Sequence, residues 1–113
     1  MKEAKFLGSS KKVIIGFPET TKRAMGYEIH RLQQGEDPTD FKPVKDFTGV
    51  SEIRVNEDDS WFRAFYVTKF EGVIYILHAF EKKRNKTDPK DIAKGKKIYK
   101  ELILQKQKEA KNG

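Results

Sequence analysis

The chain has 113 residues, a length that suits one domain, and we expect a single domain over residues 1–113. It contains no cysteine and only two histidines, which excludes a disulfide framework and a cysteine nucleophile, and we expect no metal or other cofactor. The formal net charge of +7 favours a nucleic acid or an acidic protein as partner, and it is concentrated in residues 81–113, which carry twelve basic and five acidic side chains.

The N-terminal third is typical of a short strand followed by two helices. Residues 2–6 fit an edge strand, and Ser9 or Ser10 can cap a short helix by accepting a backbone N–H. Pro18 is expected at the first position of a second helix that runs to about Gln34. The apolar residues of this second helix recur at helical spacing: Ala24, Met25, Ile29 and Leu32. We therefore predict a helical hairpin with one buried face.

The N-terminus is not apolar enough for a signal peptide or a membrane span. Its longest apolar run is VII at residues 13–15, whereas a span needs roughly 20 predominantly apolar residues. We expect the protein to remain in the cytoplasm.

The middle of the chain predicts a loop and then three strands. The loop over residues 35–49 is rich in Gly, Pro, Asp and Thr, and Phe41, Val44 and Phe47 are expected to anchor it to the core. The strands are predicted at SEIRVNE (51–57), WFRAFYVTKF (61–70) and VIYILHAF (73–80), of which the last is apolar on both faces, as in a central strand. Short turn segments between the strands favour an antiparallel meander.

The last third begins with a basic cluster, EKKRNK, and continues as a helix. Thr87 or Asp88 can cap this helix, with Pro89 at its first position. Its apolar stripe is formed by Ile92, Tyr99, Leu102 and Ile103. The order of helices, meander and helix predicts an α+β fold with an antiparallel sheet.

The motifs along these segments resemble a known protein family. The series E-I-R (52–54), F-R-x-x-Y-V (62–67), L-H-A-F-x-K-K (77–83) and K-T-x-P (86–89) follows the order of the predicted strands. With the helical hairpin and the linker GEDPTDFKP, it resembles the phage-related HigB-like branch of the RelE superfamily, toxins of type II toxin–antitoxin pairs. The resemblance implies a RelE-like fold, with an N-terminal helical hairpin packed on an antiparallel sheet and a C-terminal helix.

The resemblance also implies an activity and partners. Relatives of this branch are ribosome-dependent mRNA endoribonucleases, which inhibit translation by RNA cleavage without a metal ion. An antitoxin, often a helix-turn-helix DNA-binding protein, inhibits them. Matched position by position, Arg54, Arg63 and Lys82 correspond to basic residues on the first, middle and last strand of the meander, which such relatives use to cleave RNA.

The chemistry of such a cleavage suits these residue types. Attack by a ribose 2′-hydroxyl needs a proton acceptor, a proton donor and positive charge on the phosphate. Arginine donates paired hydrogen bonds to phosphate, so Arg54 and Arg63 are candidate phosphate ligands. Neighbouring cations lower a lysine pKa, so Lys82 or Lys83 is a candidate for proton transfer.

The remaining candidates are assigned to RNA binding. Arg84 and Lys86 extend the basic cluster and are expected to steer RNA by charge. His78 and Trp61 are candidate RNA contacts, Trp61 by stacking on a base. Each also has an ordinary structural interpretation, because His78 lies on an apolar strand and suits a hydrogen-bonded core histidine, while a tryptophan commonly packs in a core.

Alternatives remain open for the arginines and for the activity. Arg54 also fits a solvated strand residue, and Arg63 fits an ion pair with Glu52 or with a carboxylate of the EDD turn. Some relatives have a basic residue where this chain has Glu52. A second hypothesis is therefore a non-catalytic RelE-fold protein of phage origin that binds RNA, the ribosome or an antitoxin.

Overall fold

The computed structural model describes residues 1–83 and 87–112, with only the backbone of residue 112. Its elements are β1 (Glu3–Phe6), α1 (Ser10–Ile15), α2 (Glu19–Gln33), β2 (Phe41–Pro43), β3 (Ser51–Glu57), β4 (Ser60–Val67), β5 (Val73–Lys82) and α3 (Pro89–Asn112). The five strands form a sheet in the order β1-β5-β4-β3-β2. This confirms the predicted α+β class and the C-terminal helix.

The sheet is mixed rather than antiparallel. β1 pairs with β5 in parallel, while β2–β3, β3–β4 and β4–β5 are antiparallel. The predicted antiparallel sheet is therefore wrong at one of its pairs. A short turn fixes the direction of neighbouring strands in a hairpin, but β1 and β5 are separated by both N-terminal helices and three strands, so no local turn constrains them.

The predicted helical hairpin is not a clear feature of the fold. α1 has only six residues, and its buried side chains are Ser10 and Ile14. The Ser10 hydroxyl lies 2.7 Å from the Leu7 carbonyl oxygen and 3.2 Å from that of Ile76, which fixes α1 on strand β5. Ser9 stands at the N-cap position but its side chain makes no capping hydrogen bond. α1 is thus a short helix that is fixed to the sheet, and it is too short to form a hairpin with α2.

Hydrophobic clusters cover the two faces of the sheet. The cluster under α1 and α2 includes Ile14, Phe17, Met25, Ile29, Leu32, Ile53, Phe62, Ala64, Tyr66, Ile74, Ile76 and Ala79. The cluster under α3 includes Val44, Phe47, Val50, Phe65, Val67, Tyr75, Leu77, Phe80 and Leu102. The helical spacing predicted for α2 is confirmed at Met25, Ile29 and Leu32, which are buried, whereas Ala24 is only partly buried.

Strand β5 carries one extra residue relative to β4. Phe65 pairs with His78 and the next residue, Tyr66, pairs with Ile76, so Leu77 has no partner in the register. A bulge of this kind breaks the alternation of side chains along a strand. Leu77 and His78 consequently lie on the same side, facing α3.

The loop before β3 is only partly anchored as predicted. Val44 and Phe47 are buried, but Phe41 is 39% exposed. Phe41 belongs to β2, a three-residue edge strand whose residues are all exposed. The expectation for Phe41 is therefore wrong.

Helix α3 begins at the predicted cap and lies close to the sheet. The Lys90 backbone N–H donates to Asp88 Oδ1 at 2.9 Å. At the buried Gly95, an added Cβ would lie 2.8 Å from Phe65 Cδ2 and 3.0 Å from Phe47 Cε2. The absence of a side chain here lets the helix backbone approach both rings. Within the part of the chain that the structure describes, no helix combines the length and hydropathy needed to cross a bilayer.

The two helical glycines predict opposite effects of substitution by alanine. Gly95→Ala should lower the free energy of unfolding by about 1–3 kcal/mol, because the methyl group overpacks against Phe65 and Phe47. Gly26→Ala in α2 is the control, because nothing lies within 4 Å of an added Cβ there, and it should stabilise by about 0.5–1 kcal/mol. Urea unfolding measures both; a Gly95→Ala protein as stable as the wild type would contradict the close packing.

Candidate functional site

One face of strands β3, β4 and β5 brings together three of the predicted catalytic cations. Arg54 is the register partner of Arg63, and Trp61 is the register partner of Lys82. Partners and alternate residues share a face of a sheet, so all four side chains project toward the side of α3. We call Arg54, Trp61, Arg63 and Lys82 the basic face.

Arg63 lies at the buried centre of the basic face. Its Nη1 donates to Glu52 Oε1 at 2.5 Å and to Thr87 Oγ1 at 3.0 Å. The Thr87 hydroxyl in turn donates to Glu52 Oε2 at 3.0 Å. Both charged side chains are 0% exposed. The ion pair with Glu52, one of the two interpretations of Arg63, is thus present, and the guanidinium does not reach solvent in this arrangement.

Arg54 lies nearer the surface and contacts a carboxylate and a ring. Its Nε and Nη2 donate to Asp40 Oδ1 at 3.1 and 2.9 Å. The ring of Trp61, which is partly exposed, lies 5.4 Å from the guanidinium carbon of Arg54 and 5.8 Å from that of Arg63. These distances suit cation–π contacts, so Trp61 supports both arginines from one side.

Lys82 is held between two carboxylates at the start of α3. Its Nζ lies 3.2 Å from Asp88 Oδ2 and 3.1 Å from Asp91 Oδ2. The Asp91 and Asp88 carboxylates beside its ammonium raise the pKa of Lys82. The expected lowering of this lysine pKa by neighbouring cations is therefore wrong, because the charges that contact its ammonium among the described residues are negative.

His78 is a hydrogen-bonded histidine of the core. Its Nε2 lies 2.9 Å from Asp91 Oδ1. Its ring stacks on Phe80 with an interplanar angle of 22° and lies 5.9 Å from the ring of Phe65. These contacts are those expected of a hydrogen-bonded core histidine, one of the two interpretations of His78. They also make Asp91 a bridge between His78 and Lys82.

Lys83 lies apart from Lys82 and contacts other residues. Its Nζ lies 3.2 Å from Ser60 Oγ and 3.9 Å from Glu81, and its side chain is 77% exposed. Glu81 pairs with Phe62, which belongs to the face covered by α1 and α2. The remaining two candidates, Arg84 and Lys86, lie outside the described residues.

The acidic partners of the basic face were missed in the sequence, apart from Glu52. Asp40 precedes β2 and Asp91 lies in the first turn of α3, so neither lies on the strand of the cation that it contacts. A cleft of about 520 Å³ opens beside Glu52 and Thr87, with Lys42 and Lys45 in its lining. Lys42 is the register partner of Glu52. The same pairing of β2 with β3 continues to Asp40, whose carbonyl oxygen accepts the Arg54 backbone N–H at 2.9 Å, so this pairing would have indicated the contact of Arg54 with Asp40.

The basic face does not include a cluster of metal ligands. Within residues 1–83 and 87–112, no group of three or more His, Asp and Glu side chains is placed to hold a metal ion. The functional groups of the basic face are guanidinium and ammonium groups, each beside a carboxylate.

Comparison with known protein families identifies the family to which the chain belongs. A family model described as Phage derived protein Gp49-like (DUF891) matches residues 12–100, which include the whole basic face and its carboxylate partners. The chain belongs to this Gp49-like family. The family is related to the toxins of toxin–antitoxin systems, which agrees with the resemblance found in the motifs. No curated protein matches the chain.

Arg63 should be essential for stability, whatever its part in function. Arg63→Ala should lower the free energy of unfolding by about 3–5 kcal/mol, because it leaves the Glu52 carboxylate buried without its counter-charge. The double variant Arg63→Leu with Glu52→Leu should recover most of this loss, since neither charge is then buried. Urea unfolding of both variants is the measurement, and an Arg63→Ala protein within about 1 kcal/mol of wild type would contradict the pair's role.

The Asp88 carboxyl should titrate below the usual range of aspartate. The Lys90 backbone N–H, and then Lys82, lower its pKa. A lowered pKa means that this interaction stabilises the fold above the unfolded-state pKa and is lost as the pH falls through the folded-state pKa. Titration followed by NMR should show that Lys82→Ala raises the Asp88 pKa, but not fully, since the Lys90 N–H remains. Lys94→Ala is the control and should leave it unchanged.

Proposed function

We propose that this chain is the toxin of a type II toxin–antitoxin pair and acts as a ribosome-dependent mRNA endoribonuclease. The observation that carries the proposal is the meeting of Arg54, Arg63 and Lys82, from three adjacent strands, on one face beside Trp61. Membership of the Gp49-like family supports it independently. A helix-turn-helix antitoxin is the proposed inhibitory partner.

The proposed reaction is attack of a ribose 2′-hydroxyl oxygen on the adjacent phosphorus, which forms a 2′,3′-cyclic phosphate and releases the 5′-oxygen of the next nucleotide. The 2′-hydroxyl proton passes to solvent water, and the leaving 5′-oxygen takes up a proton. Negative charge grows on the phosphate in the transition state, and cations placed beside it lower the barrier. In the proposal Arg54 and Lys82 supply this charge. Because its two carboxylate partners keep Lys82 protonated, it serves as a charged ligand or as the proton donor to the leaving oxygen, not as the base.

The proposed role of Arg63 depends on the position of Thr87. Its guanidinium is enclosed by Glu52 and Thr87, so it contacts a phosphate only in a state in which Thr87 has moved. In the enclosed state Arg63 positions β3 and the start of α3 around Lys82. Lys83 lies outside this enclosure and is proposed to act on RNA from the exposed end of β5.

The RNA itself is proposed to follow the exposed part of the basic face. Trp61 offers a partly exposed ring on which a base can stack. Arg84 and Lys86 are proposed to steer the RNA by charge, as their place in the sequence indicates. No metal ion takes part in the proposed cleavage.

A second function, binding of RNA or of an antitoxin without cleavage, is favoured by one observation. Glu52 and Arg63 neutralise each other in the interior, and carboxylates hold Lys82 in its charged form. None of these groups is then available to accept the proton of the 2′-hydroxyl. This arrangement would bind a phosphate more readily than it would cleave one.

Induction of the protein, with primer extension on translated mRNA, separates the two functions. The wild type should stop growth and cut ribosome-bound mRNA. Lys82→Ala should reduce cleavage by about 10²-fold, because it removes charge at the phosphate. Lys108→Ala removes an exposed lysine of α3 and is the control, with no expected change.

The possible results of this experiment distinguish cleavage from binding without cleavage. If the protein binds RNA in a salt-dependent manner but no cut transcript is found, the cleavage function is wrong and the binding function is supported. If Lys82→Ala cleaves mRNA at the wild-type rate, Lys82 has no part in the cleavage. Arg63→Ala is unsuitable for this experiment, because its expected loss of stability would itself abolish activity.

A further inference from the structure

The cations of the basic face are held by carboxylates of the same chain. The pairs are Arg54 with Asp40, Arg63 with Glu52, and Lys82 with both Asp88 and Asp91. A phosphate group offers a lysine or an arginine the same anionic oxygens that a carboxylate offers. An RNA phosphate that binds on this face therefore has to take the place of a carboxylate or bind beside it.

These pairs differ in how readily a phosphate can replace the carboxylate. Arg63 and Glu52 are fully buried, and Asp91 is nearly so and is also tied to His78. Asp40 is 42% exposed, but two hydrogen bonds from Arg54 hold it. Asp88 is different, because its side chain is 44% exposed and a single contact of 3.2 Å joins it to Lys82. Exposed ion pairs contribute little free energy, so an incoming anion can replace Asp88 far more easily than the buried partners.

Asp88 uses its two oxygens for different purposes. Oδ1 accepts the Lys90 backbone N–H and caps α3, while Oδ2 contacts the Lys82 ammonium. Asparagine caps a helix about as well as aspartate does. Asp88→Asn therefore keeps the helix cap and removes the negative charge from Lys82.

We propose that Asp88 occupies the position of an RNA phosphate at Lys82 and thereby limits how tightly the chain binds RNA. The inference rests on the proposed function, since RNA is taken as the ligand. Asp91 holds the ammonium from the buried side and stays in place. A phosphate that enters from solvent makes the contact that Asp88 makes in the free protein, so binding includes the loss of this internal ion pair.

The test is the affinity of the full chain for a short, fluorescein-labelled, single-stranded RNA of mixed sequence, measured by fluorescence anisotropy over a range of salt. Glu109→Gln is the matched control for Asp88→Asn. Glu109 also pairs with a lysine, Lys106, at 3.6 Å, so each variant raises the net charge by one and removes one carboxylate from beside a lysine. Asp88→Asn should bind the RNA about threefold more tightly than Glu109→Gln. Its salt dependence should be steeper by about one released counterion.

A double-mutant cycle assigns the effect to Lys82. In a Lys82→Ala background, Asp88→Asn should increase affinity no more than Glu109→Gln does, because the ammonium that Asp88 shields is gone. Equal affinities of Asp88→Asn and Glu109→Gln would overturn the inference. So would a gain from Asp88→Asn that persists without Lys82, since it would then be a long-range effect of net charge.

Failure of the inference and failure of the proposed function give different results. If the wild type binds the RNA and Lys82→Ala weakens binding, but Asp88→Asn equals its control, only the inference fails. If neither the wild type nor Asp88→Asn binds more tightly than Lys82→Ala, Lys82 does not contact RNA. The proposed function then loses its central residue, and the inference falls with it.

Discussion

The ion pair of Arg63 and Glu52 is the constraint on which the rest of the site depends. Two opposite charges that are fully removed from water are stable only together, since either one alone would be buried without compensation. The pair joins β4 to β3, and the Thr87 hydroxyl, bonded to both, fixes the residue that precedes the cap of α3. The first turn of the helix, with Asp88 and Asp91, is therefore placed against β5 by an interaction in the middle of the sheet.

The site follows from this placement, with the cations on the strands and the anions other than Glu52 on the segments around them. Strands project alternate side chains at fixed intervals, which sets the positions of Arg54, Arg63 and Lys82. The loop before β2 and the start of α3 bring carboxylates to them. The net charge of +7 is thus a poor guide to the local field. Many of the lysines lie along α3, whereas the described cations of the basic face are each compensated.

The sequence predicted best what depends on neighbouring residues, such as the alternation of β3, the apolar spacing of α2 and the cap of α3 at Asp88. It failed where distant segments meet. The direction of β1 follows from its pairing with β5, and the contact of Arg54 with Asp40 depends on a loop with no regular pattern. The pKa of Lys82 shows the same limit. The cluster EKKRNK places cations beside it in sequence, but Asp91 and Asp88 lie beside it in space.

The extra residue in β5 has a consequence for the site as a whole. Before Leu77, odd-numbered residues such as Tyr75 face α3; after it, even-numbered residues such as Phe80 do. His78 and Lys82 thus face α3 only because the strand is one residue longer than a regular ladder requires, and a one-residue shift would turn both toward the opposite face. The number of residues in the strand, which no chemical motif records, is as much a part of this site as the charges it carries.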